Sequence, residues 1–564
     1  MEPTEGAPEP ASDAVETIGS IFESSFSHLN RPLREFDERI AELLSGRFTF
    51  LNRTIELKQV DWNRRYESHL WNYQLHYFSF SLWCALAFRL RRDECAMRRC
   101  QELIESWIDG ARAGSSDGWE AYPVSLRVVN WIYAYVLVAG SYSDRRFLDK
   151  WRRSIYWQLD FLSRHVEYHL LANHLIKNAK ALVIGGLFFA DDRRGTRWLE
   201  KGEQLLWREF DEQVLDDGGH YERAPMYHAI VLADFLECFA LLRAFRKVGK
   251  ADQQRIEKRL RAMTRFLAAM SYVDGTLALF NDSANAEEAR PLPIITAAER
   301  ICGGDLRAYP KSFPQTGYYL WNSRDGTERI IVDAGPPAVN YNPAHAHCDL
   351  LSYELWLGGK PLIVDSGVHG YGGDRFREYA RSTRAHNTVS FDGREQSEVW
   401  GTFRLARGAK LIGAEASGSE ESWHFQGSYH PCYDKGLIHQ RCIRREANRD
   451  WSIEDTVCGG RAERAASFIH LHPEVRAQRV SEESLTIRCR SGALTVLIEP
   501  VGAESVALIT GADEPVQGWY FPDFGIARPG PAICFTYRVK MGETFGYRIK
   551  TCQTSSLGDD LGAG

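Results

Sequence analysis

Apolar residues recur along this chain with two different periods, and the period changes near residue 310. From about Ile21 to Ile301 they return every three or four positions, as in Trp131-Ile132, Tyr135-Val136 and Val138, or Phe235-Leu236, Phe239 and Leu242. That spacing lines one face of a helix. It predicts helices over 32–45, 72–91, 93–112, 123–142, 145–169, 172–190, 194–214, 226–247 and 251–271, joined by short turns. Long helices on short connections pack as antiparallel hairpins, and many such hairpins side by side curl into a solenoid or a toroid with a concave inner face. After Pro310-Lys-Ser-Phe-Pro-Gln-Thr-Gly317 the period becomes two, which predicts strands over 328–332, 351–357, 361–364, 387–391, 451–456, 485–490, 494–498 and 545–549. Leu357-Gly-Gly-Lys360 between two of them is a tight-hairpin signal, and the strand-rich half reads as an antiparallel sandwich.

At 564 residues the chain exceeds the size at which one core keeps growing, so two domains are the default. The patterning divides it into a disordered N-terminal segment at 1–20, a helical domain at 21–309, a β-domain at 310–555 and a flexible tail at 556–564. A net charge of −6, from 69 basic and 75 acidic residues without a long basic run, excludes a nucleic-acid binder held by bulk electrostatics. A local Arg cluster still suits an anionic substrate. No stretch approaches eighteen uninterrupted apolar residues, so no membrane span is expected. The acidic, Pro-rich start carries no basic segment followed by an apolar one, and the twelve cysteines form no C-x-x-C pair. Both point to buried thiols in a reducing compartment, with the cytoplasm as the expected location. Nothing in the sequence fixes an oligomeric state.

The densest chemistry lies in His345-Ala-His347-Cys-Asp349, followed by Asp365 and by Arg381-Ser-Thr-Arg384-Ala-His386-Asn387. On a strand, His345 and His347 would point to one face and Cys348 to the other. Two such imidazoles either bind one metal together or divide the work, one on metal and one on substrate. In the helical half, Asn173-His174 opens an apolar helix, either as a cap or as groups reaching a cleft. Gly218-Gly-His220-Tyr221-Glu222-Arg223-Ala-Pro-Met-Tyr227-His228 crowds titratable groups into an irregular segment. Arg127 and Asn130, one helical turn apart, suit carboxylate binding or an internal salt bridge. Phe280-Asn281-Asp282-Ser283 reads as an Asx-turn that could add polar contacts. His470-Leu-His472 is a second H-x-H, read as packing or solvent exposure.

Taken together and in this order, the Asn173-His174, Gly-Gly-His-Tyr-Glu-Arg-Ala-Pro-Met-Tyr227-His228, His345-Ala-His347-Cys-Asp349, Val364-Asp365-Ser-Gly367 and Arg-Ser-Thr-Arg-Ala-His386-Asn motifs resemble the heparinase II/III-like polysaccharide lyases. The likeness runs from Leu70-Trp-Asn-Tyr-Gln-Leu-His-Tyr77 to about Arg404. It implies an α+β multidomain fold, an incomplete α/α toroid followed by an antiparallel β-sandwich. It implies Asn173 as the carboxylate-neutralising residue, Tyr227 as the catalytic tyrosine and His345 as the catalytic histidine. It also implies His347, Asp365 and His386 as ligands of a structural or orienting divalent metal, zinc-like, with no organic cofactor. The partner is then an anionic polysaccharide, with Arg127, Asn130, His174, His220, Glu222, Arg223, His228 and Arg384 as candidate substrate contacts.

Such a lyase breaks a 4-linked uronate by β-elimination. The C5 proton becomes removable only when the adjacent carboxylate's growing charge is neutralised, the task of Asn173 with His174 or an Arg. In a glucuronate the C5 hydrogen and O4 share a ring face, so Tyr227 would serve as base and then acid; in a C5 epimer His345 would be the base. The assembly joins one group of the β-half to two of the helical half. A glycuronan C5-epimerase shares the same carbanion, and a non-catalytic glycan-binding protein could keep the same fold. Arg377, Arg381, Arg384 and Arg394 are candidates for reading sulfate or, equally, a salt-bridged face.

Overall fold

The computed structural model of the chain describes residues 7–26, 33–114, 116–337, 339, 341–446 and 448–552. The tail expected at 556–564 and the first six residues lie outside these. Within the stretch expected to be disordered, Ser12–Ile21 forms helix α1. The helices that follow are α2 (Leu33–Leu44), α3 (His69–Tyr77), α4 (Ser79–Arg91), α5 (Glu94–Gly110), α6 (Ala121–Val138), α7 (Arg145–Arg164), α8 (Ala172–Phe188), α9 (Arg193–Gln213), α10 (Pro225–Ala244), α11 (Lys250–Ala269) and α12 (Pro291–Cys302).

Aspartates set several helix starts: Asp93, Asp144 and Asp192 each accept a backbone N–H of the first turn of α5, α7 and α9. The helix expected over 72–91 divides in two at Phe78, which takes a left-handed φ of 56°. Burial holds it there. Its ring lies 5.2 Å from Trp62 and 5.2 Å from Trp131, an anchor that periodicity does not reveal. α10 is apolar all round and long enough to cross a membrane, but 94% of its most apolar window is buried inside the protein, as in a core helix.

The chain divides into two compact units. The first comprises Met1–Val214, Ile230–Thr264 and Leu292–Leu306 and is helical. Its core is built on closed rings such as Trp107, Trp131 and Trp151. Between α8 and α10 it also buries a charge network, in which Lys180 meets Asp234 at 3.0 Å and Glu237 at 2.5 Å. The second unit comprises Leu215–Ala229, Arg265–Pro291 and Arg307–Gly564, so the segment carrying Tyr227 and the loop at 281–283 group with the strands.

Three antiparallel sheets make up most of the second unit. One has five strands in sequence order: Ser312–Phe313, Tyr318–Asn322, Arg329–Asp333, Tyr353–Leu357 and Lys360–Ile363. The largest runs Lys410–Gly418, Trp423–His430, Ile438–Arg445, Trp451–Cys458, Thr544–Cys552, Leu494–Val501, Ile487–Ser491, Arg476–Arg479. The third runs Ser505–Thr510, Pro531–Arg538, Arg464–His470, Val389–Phe391. Side chains from all three, among them Trp321, Phe425, Ile453 and Phe535, share one apolar core.

Arg441 and Asp455 face each other directly across two strands of the largest sheet, fully buried, with Arg441 Nε 2.8 Å from one carboxylate oxygen and His439 Nε2 2.7 Å from the same one. Burial works to raise the Asp455 carboxyl, but the Arg441 guanidinium and His439 outweigh it and hold it down at about 2. A depressed carboxyl contributes stability above its unfolded value, near 3.9, that is lost as pH falls through its folded value. Denaturant titrations between pH 4 and pH 2 are therefore expected to show an acid loss of order 2 kcal/mol from this residue, flattened in Asp455→Asn.

Candidate active site

The segment from 341 to 350 is a run of turns and irregular backbone, so His345 and His347 owe their common direction to a shared partner and not to a strand. That partner is Asp282. Its Oδ2 lies 2.8 Å from His345 Nδ1 and its Oδ1 lies 2.8 Å from His347 Nε2. Arg377 grips the same carboxylate, with Nη2 3.0 Å from Oδ2 and Nη1 on Oδ1. Burial works to raise Asp282, but Arg377 and the two histidines hold it well below the usual carboxylate range. An ionised carboxylate only accepts, so each histidine donates to it, which leaves His345 Nε2 and His347 Nδ1 as lone-pair nitrogens.

Local backbone explains why Asp282 arrives there. Asn281 takes a left-handed φ of 55°, tolerated by Asn, and its amide oxygen accepts the His347 N–H at 3.3 Å. Its own N–H donates to Asp349 Oδ2 at 3.1 Å, zipping the two segments together. Ser283 Oγ accepts the Met226 N–H at 3.2 Å and so ties this loop to the first turn of α10, where Tyr227 stands. The Tyr227 ring lies 4.0 Å from the His345 ring, and its hydroxyl lies 2.8 Å from that of Tyr371. Tyr371 follows Gly367, where φ is +70° and an added Cβ would sit 2.4 Å from the Phe521 carbonyl oxygen. Burial pushes the Tyr371 phenol well up, so it stays protonated and able to donate to Tyr227. Tyr227 is 8% exposed, and the His345 side chain 12%.

Glu222 Oε1 stands 3.7 Å from His345 Nε2, and its other oxygen 3.7 Å from His220 Nδ1. Buried Glu222 therefore stands on the Nε2 side of His345, opposite Asp282, with His220 beyond it. His228 is buried with its ring on Phe266, and Arg223 donates to the carbonyls of Thr316 and Tyr221. In this structure both are buried groups that support the site's frame.

Below this pair, His347, Asp349 and His386 bring one ligand atom each within 4.8 Å of one another, all buried. His347 Nδ1 and His386 Nε2 are buried nitrogens with no hydrogen-bond partner among the described residues. Two imidazole nitrogens without other partners and a carboxylate fit a divalent cation, which would displace the proton from His386 Nε2. Asp365, the carboxylate expected as a ligand, meets His386 Nδ1 at 2.8 Å and so orients that ring, while Asp349 stands in the three-residue group. Burial works to lower His386, but Asp365 and Asp349 push it up to about 9; burial and Asp365 push Asp349 up to about 6. Such crowding of negative charge favours a cation. His470, of the second H-x-H, instead places Nε2 3.0 Å from the Arg384 carbonyl oxygen.

In the helical unit, Asn173 and His174 occupy the first turn of α8 behind an unusual entry: Leu171 has φ 61° and ψ −159°, and Ala172 has φ 49°. Non-glycine residues held in such regions are over-determined by their surroundings and cluster at functional sites. His174 Nδ1 stands 3.3 Å from Glu167. Arg127, by contrast, is 0% exposed, with its guanidinium 3.8 Å from the Trp107 ring and bonded to Gln158 and the His76 carbonyl. Asn130 donates to the Tyr77 carbonyl at 2.8 Å. Arg127 is thereby closed off in packing between helices, while half-buried Asn130 ties α6 to the end of α3.

Of the four arginines weighed as sulfate readers, Arg377 is buried on Asp282 and Arg381 on the carbonyls of Ala346, Gly401 and Arg404. Arg384 is half-buried beside Tyr379, and Arg394 lies over the Tyr433 ring. Sequence reasoning missed Tyr371 and the centrality of Asp282. A Tyr six positions past Asp365 was visible as a residue type, but Asp282 lies 63 positions before His345, and no spacing rule connects them.

Comparison with known proteins bears on this constellation. Residues 17–300 match the model described as Heparinase II/III N-terminus, and residues 305–551 match Heparinase II/III-like, C-terminal. A heparin-sulfate lyase of Bacteroides stercoris is 26% identical over 348 residues, covering 57% of this chain and 48% of that protein. One of Pedobacter heparinus is 26% identical over 352 residues, covering 57% and 52%. The chain spans about half the length of these curated relatives. A crystal structure of heparinase III aligns with TM-score 0.74 at 19% identity over 96% of this chain and 92% of that one. A heparan sulfate lyase from Pedobacter heparinus aligns with TM-score 0.61 at 20% identity over 96% and 89%. These likenesses share the fold: a helical N-terminal region followed by antiparallel sheets.

Removing Asp282 leaves Arg377 as a buried, unpaired charge. Asp282→Ala is expected to lower unfolding free energy by about 3–5 kcal/mol in denaturant titration, and Asp282→Asn, which keeps an acceptor, by less.

Proposed function

We propose that this chain, which belongs to the heparinase II/III-like family, is a polysaccharide lyase that cleaves a 4-linked uronate glycan by β-elimination. The observation that carries the reading is Tyr227, with its hydroxyl on Tyr371 and its ring against His345, itself fixed by Asp282. The names of the curated relatives favour a glycosaminoglycan as substrate.

In the reaction the C5 proton passes to a base, its bonding pair becomes the C4–C5 double bond, and the C4–O4 pair leaves with O4, which takes up a proton. Asn173 donates hydrogen bonds to the uronate carboxylate, which strengthen as charge moves onto it. Tyr227 supplies the phenol that protonates O4, and for a glucuronate it first removes the C5 proton from the same face. The Tyr371 hydroxyl, donating to Tyr227, stabilises the phenolate that takes the C5 proton; the same proton then passes from Tyr227 to O4 and the phenolate is restored, beside the His345 ring. For a C5 epimer, His345 Nε2 is the base, with its Nδ1 proton held on Asp282.

His347, Asp349 and His386 hold a divalent metal, zinc by its two-imidazole and one-carboxylate donor set, with Asp365 as the orienting carboxylate. When bound, it supplies a fixed positive charge that sets the His347 ring and the segment carrying His345. The sheets of the second unit, sharing a core, fit a β-sandwich.

Incubation with a panel of uronate polysaccharides is expected to release ultraviolet-absorbing unsaturated ends, which an epimerase would not make. Tyr227→Phe and His345→Ala are each expected to lower kcat by about 10²- to 10⁴-fold. Full product formation by both variants would contradict the lyase assignment. Elemental analysis is expected to find about one divalent metal per chain, lost in His386→Ala.

A further inference from the structure

Away from the groups assigned so far, the helical unit carries a run of rings in contact. His69, Tyr73 and Tyr77 stand four residues apart along α3, with centroids separated by 4.3 Å and 6.3 Å. Residues four apart share a helix face, and this stripe is about 12 Å long, more than one sugar ring. Tyr77 then meets Tyr122 at 6.0 Å, and Tyr122 meets His174 at 4.4 Å. His174 adjoins Asn173, the proposed carboxylate donor, so the run ends at that residue.

Exposure distinguishes these rings, the buried Tyr77 excepted, from core packing. Trp107, Trp131 and Trp151 of the same unit are closed off, whereas Tyr73, Tyr122 and His174 are half-buried and His69 is exposed. The outer end holds two carboxylates beside Arg65 and His69. Glu120 accepts the Tyr73 hydroxyl and lies 3.3 Å from His69 Nε2, and Asp117 takes the Arg65 guanidinium at 2.7 Å and 2.9 Å. Beside them is an open depression of about 270 Å³, lined in part by Asp117, Trp119 and Glu120. Burial works to raise Glu120, but hydrogen bonds with His69 and Tyr73 outweigh it and keep it low, so it carries charge at neutral pH. The same hydrogen bond pins Tyr73, which removes the ordering cost that a free aromatic side chain would add on binding.

We infer that this run is a glycan subsite track. Tyr122 and Tyr73 offer ring faces to sugar rings beyond the cleaved bond, and Glu120, the carboxylate that Arg65 does not pair, favours a sugar without anionic substituents at the outer end. Rigid aromatic faces cover the C–H faces of pyranoses, while carboxylates accept their hydroxyls and repel sulfate. The inference rests on the lyase reading, because it takes Asn173 as the inner end of the track.

The test uses the full chain and size-defined, unsulfated oligosaccharides of alternating 4-linked glucuronate and N-acetylhexosamine. Wild type is expected to show a lower KM for longer chains. Tyr73→Ala and Tyr122→Ala are expected to raise KM on the longer chains roughly tenfold, with kcat within about twofold, and to abolish the length advantage. Glu120→Gln, which preserves the hydrogen bond to Tyr73, is expected to narrow the preference for unsulfated over sulfated oligosaccharides roughly fivefold. Product formed with unchanged KM and length dependence in both tyrosine variants overturns the track while leaving the lyase reading standing. An unchanged sulfation preference in Glu120→Gln overturns the charge selection. Absence of unsaturated product from wild type on every polysaccharide instead overturns the lyase reading.

Discussion

One carboxylate, Asp282, organises the strand-rich unit's chemistry. It binds His345 through one oxygen and His347 through the other, with Arg377 across both. A buried carboxylate of this kind needs compensating donors, and each of its donors gains a fixed orientation in return. The proton positions follow. Both histidines donate to Asp282, so the proposed base nitrogen of His345 is Nε2, on the side of Glu222, and the nitrogen left to His347 beside Asp349 and His386 is Nδ1. In the proposed reading a single ionised group thereby separates a proton-transfer histidine from a metal-facing one only two residues away.

The surrounding backbone exists to deliver that group. Asn281 in a left-handed conformation, its hydrogen bonds to His347 and Asp349, and the Ser283 bond to Met226 join three segments distant in sequence. Tyr227 is held in this frame and reaches Tyr371, so the phenol proposed to handle the C5 and O4 protons has a neighbouring hydroxyl. Asn173 sits in the helical unit behind two successive left-handed residues, a second place where backbone is constrained next to a proposed reacting group.

Much of this architecture was legible in the sequence, for identifiable reasons. The helical period located α5 to α11 closely, because their apolar stripes are continuous and several starts carry an Asp cap. Strands such as Trp423–His430 and Ile438–Arg445 were overlooked although their burial alternates strictly. Gln, Gly, Ser and His lower the β-propensity of the first. In the second, the inward positions include His439 and Arg441, charged types whose partner Asp455 belongs to the next strand. Buried ion pairs thus disguise both a strand and a site. Arg127 looked like a substrate group for the same reason: composition cannot tell a guanidinium stacked on Trp107 from one facing solvent. The His345 and His347 pair was readable from spacing, but its division of labour depended on Asp282, which spacing does not reach.

The division between the two histidines is tested most directly by metal content. Purified His345→Ala and His347→Ala, each checked for folding by circular dichroism, should be analysed for bound divalent metal alongside wild type. The expected result is full metal content in His345→Ala and its loss in His347→Ala. Loss of metal from both, or its retention in His347→Ala, would contradict the assignment of one histidine to the metal and the other to the sugar.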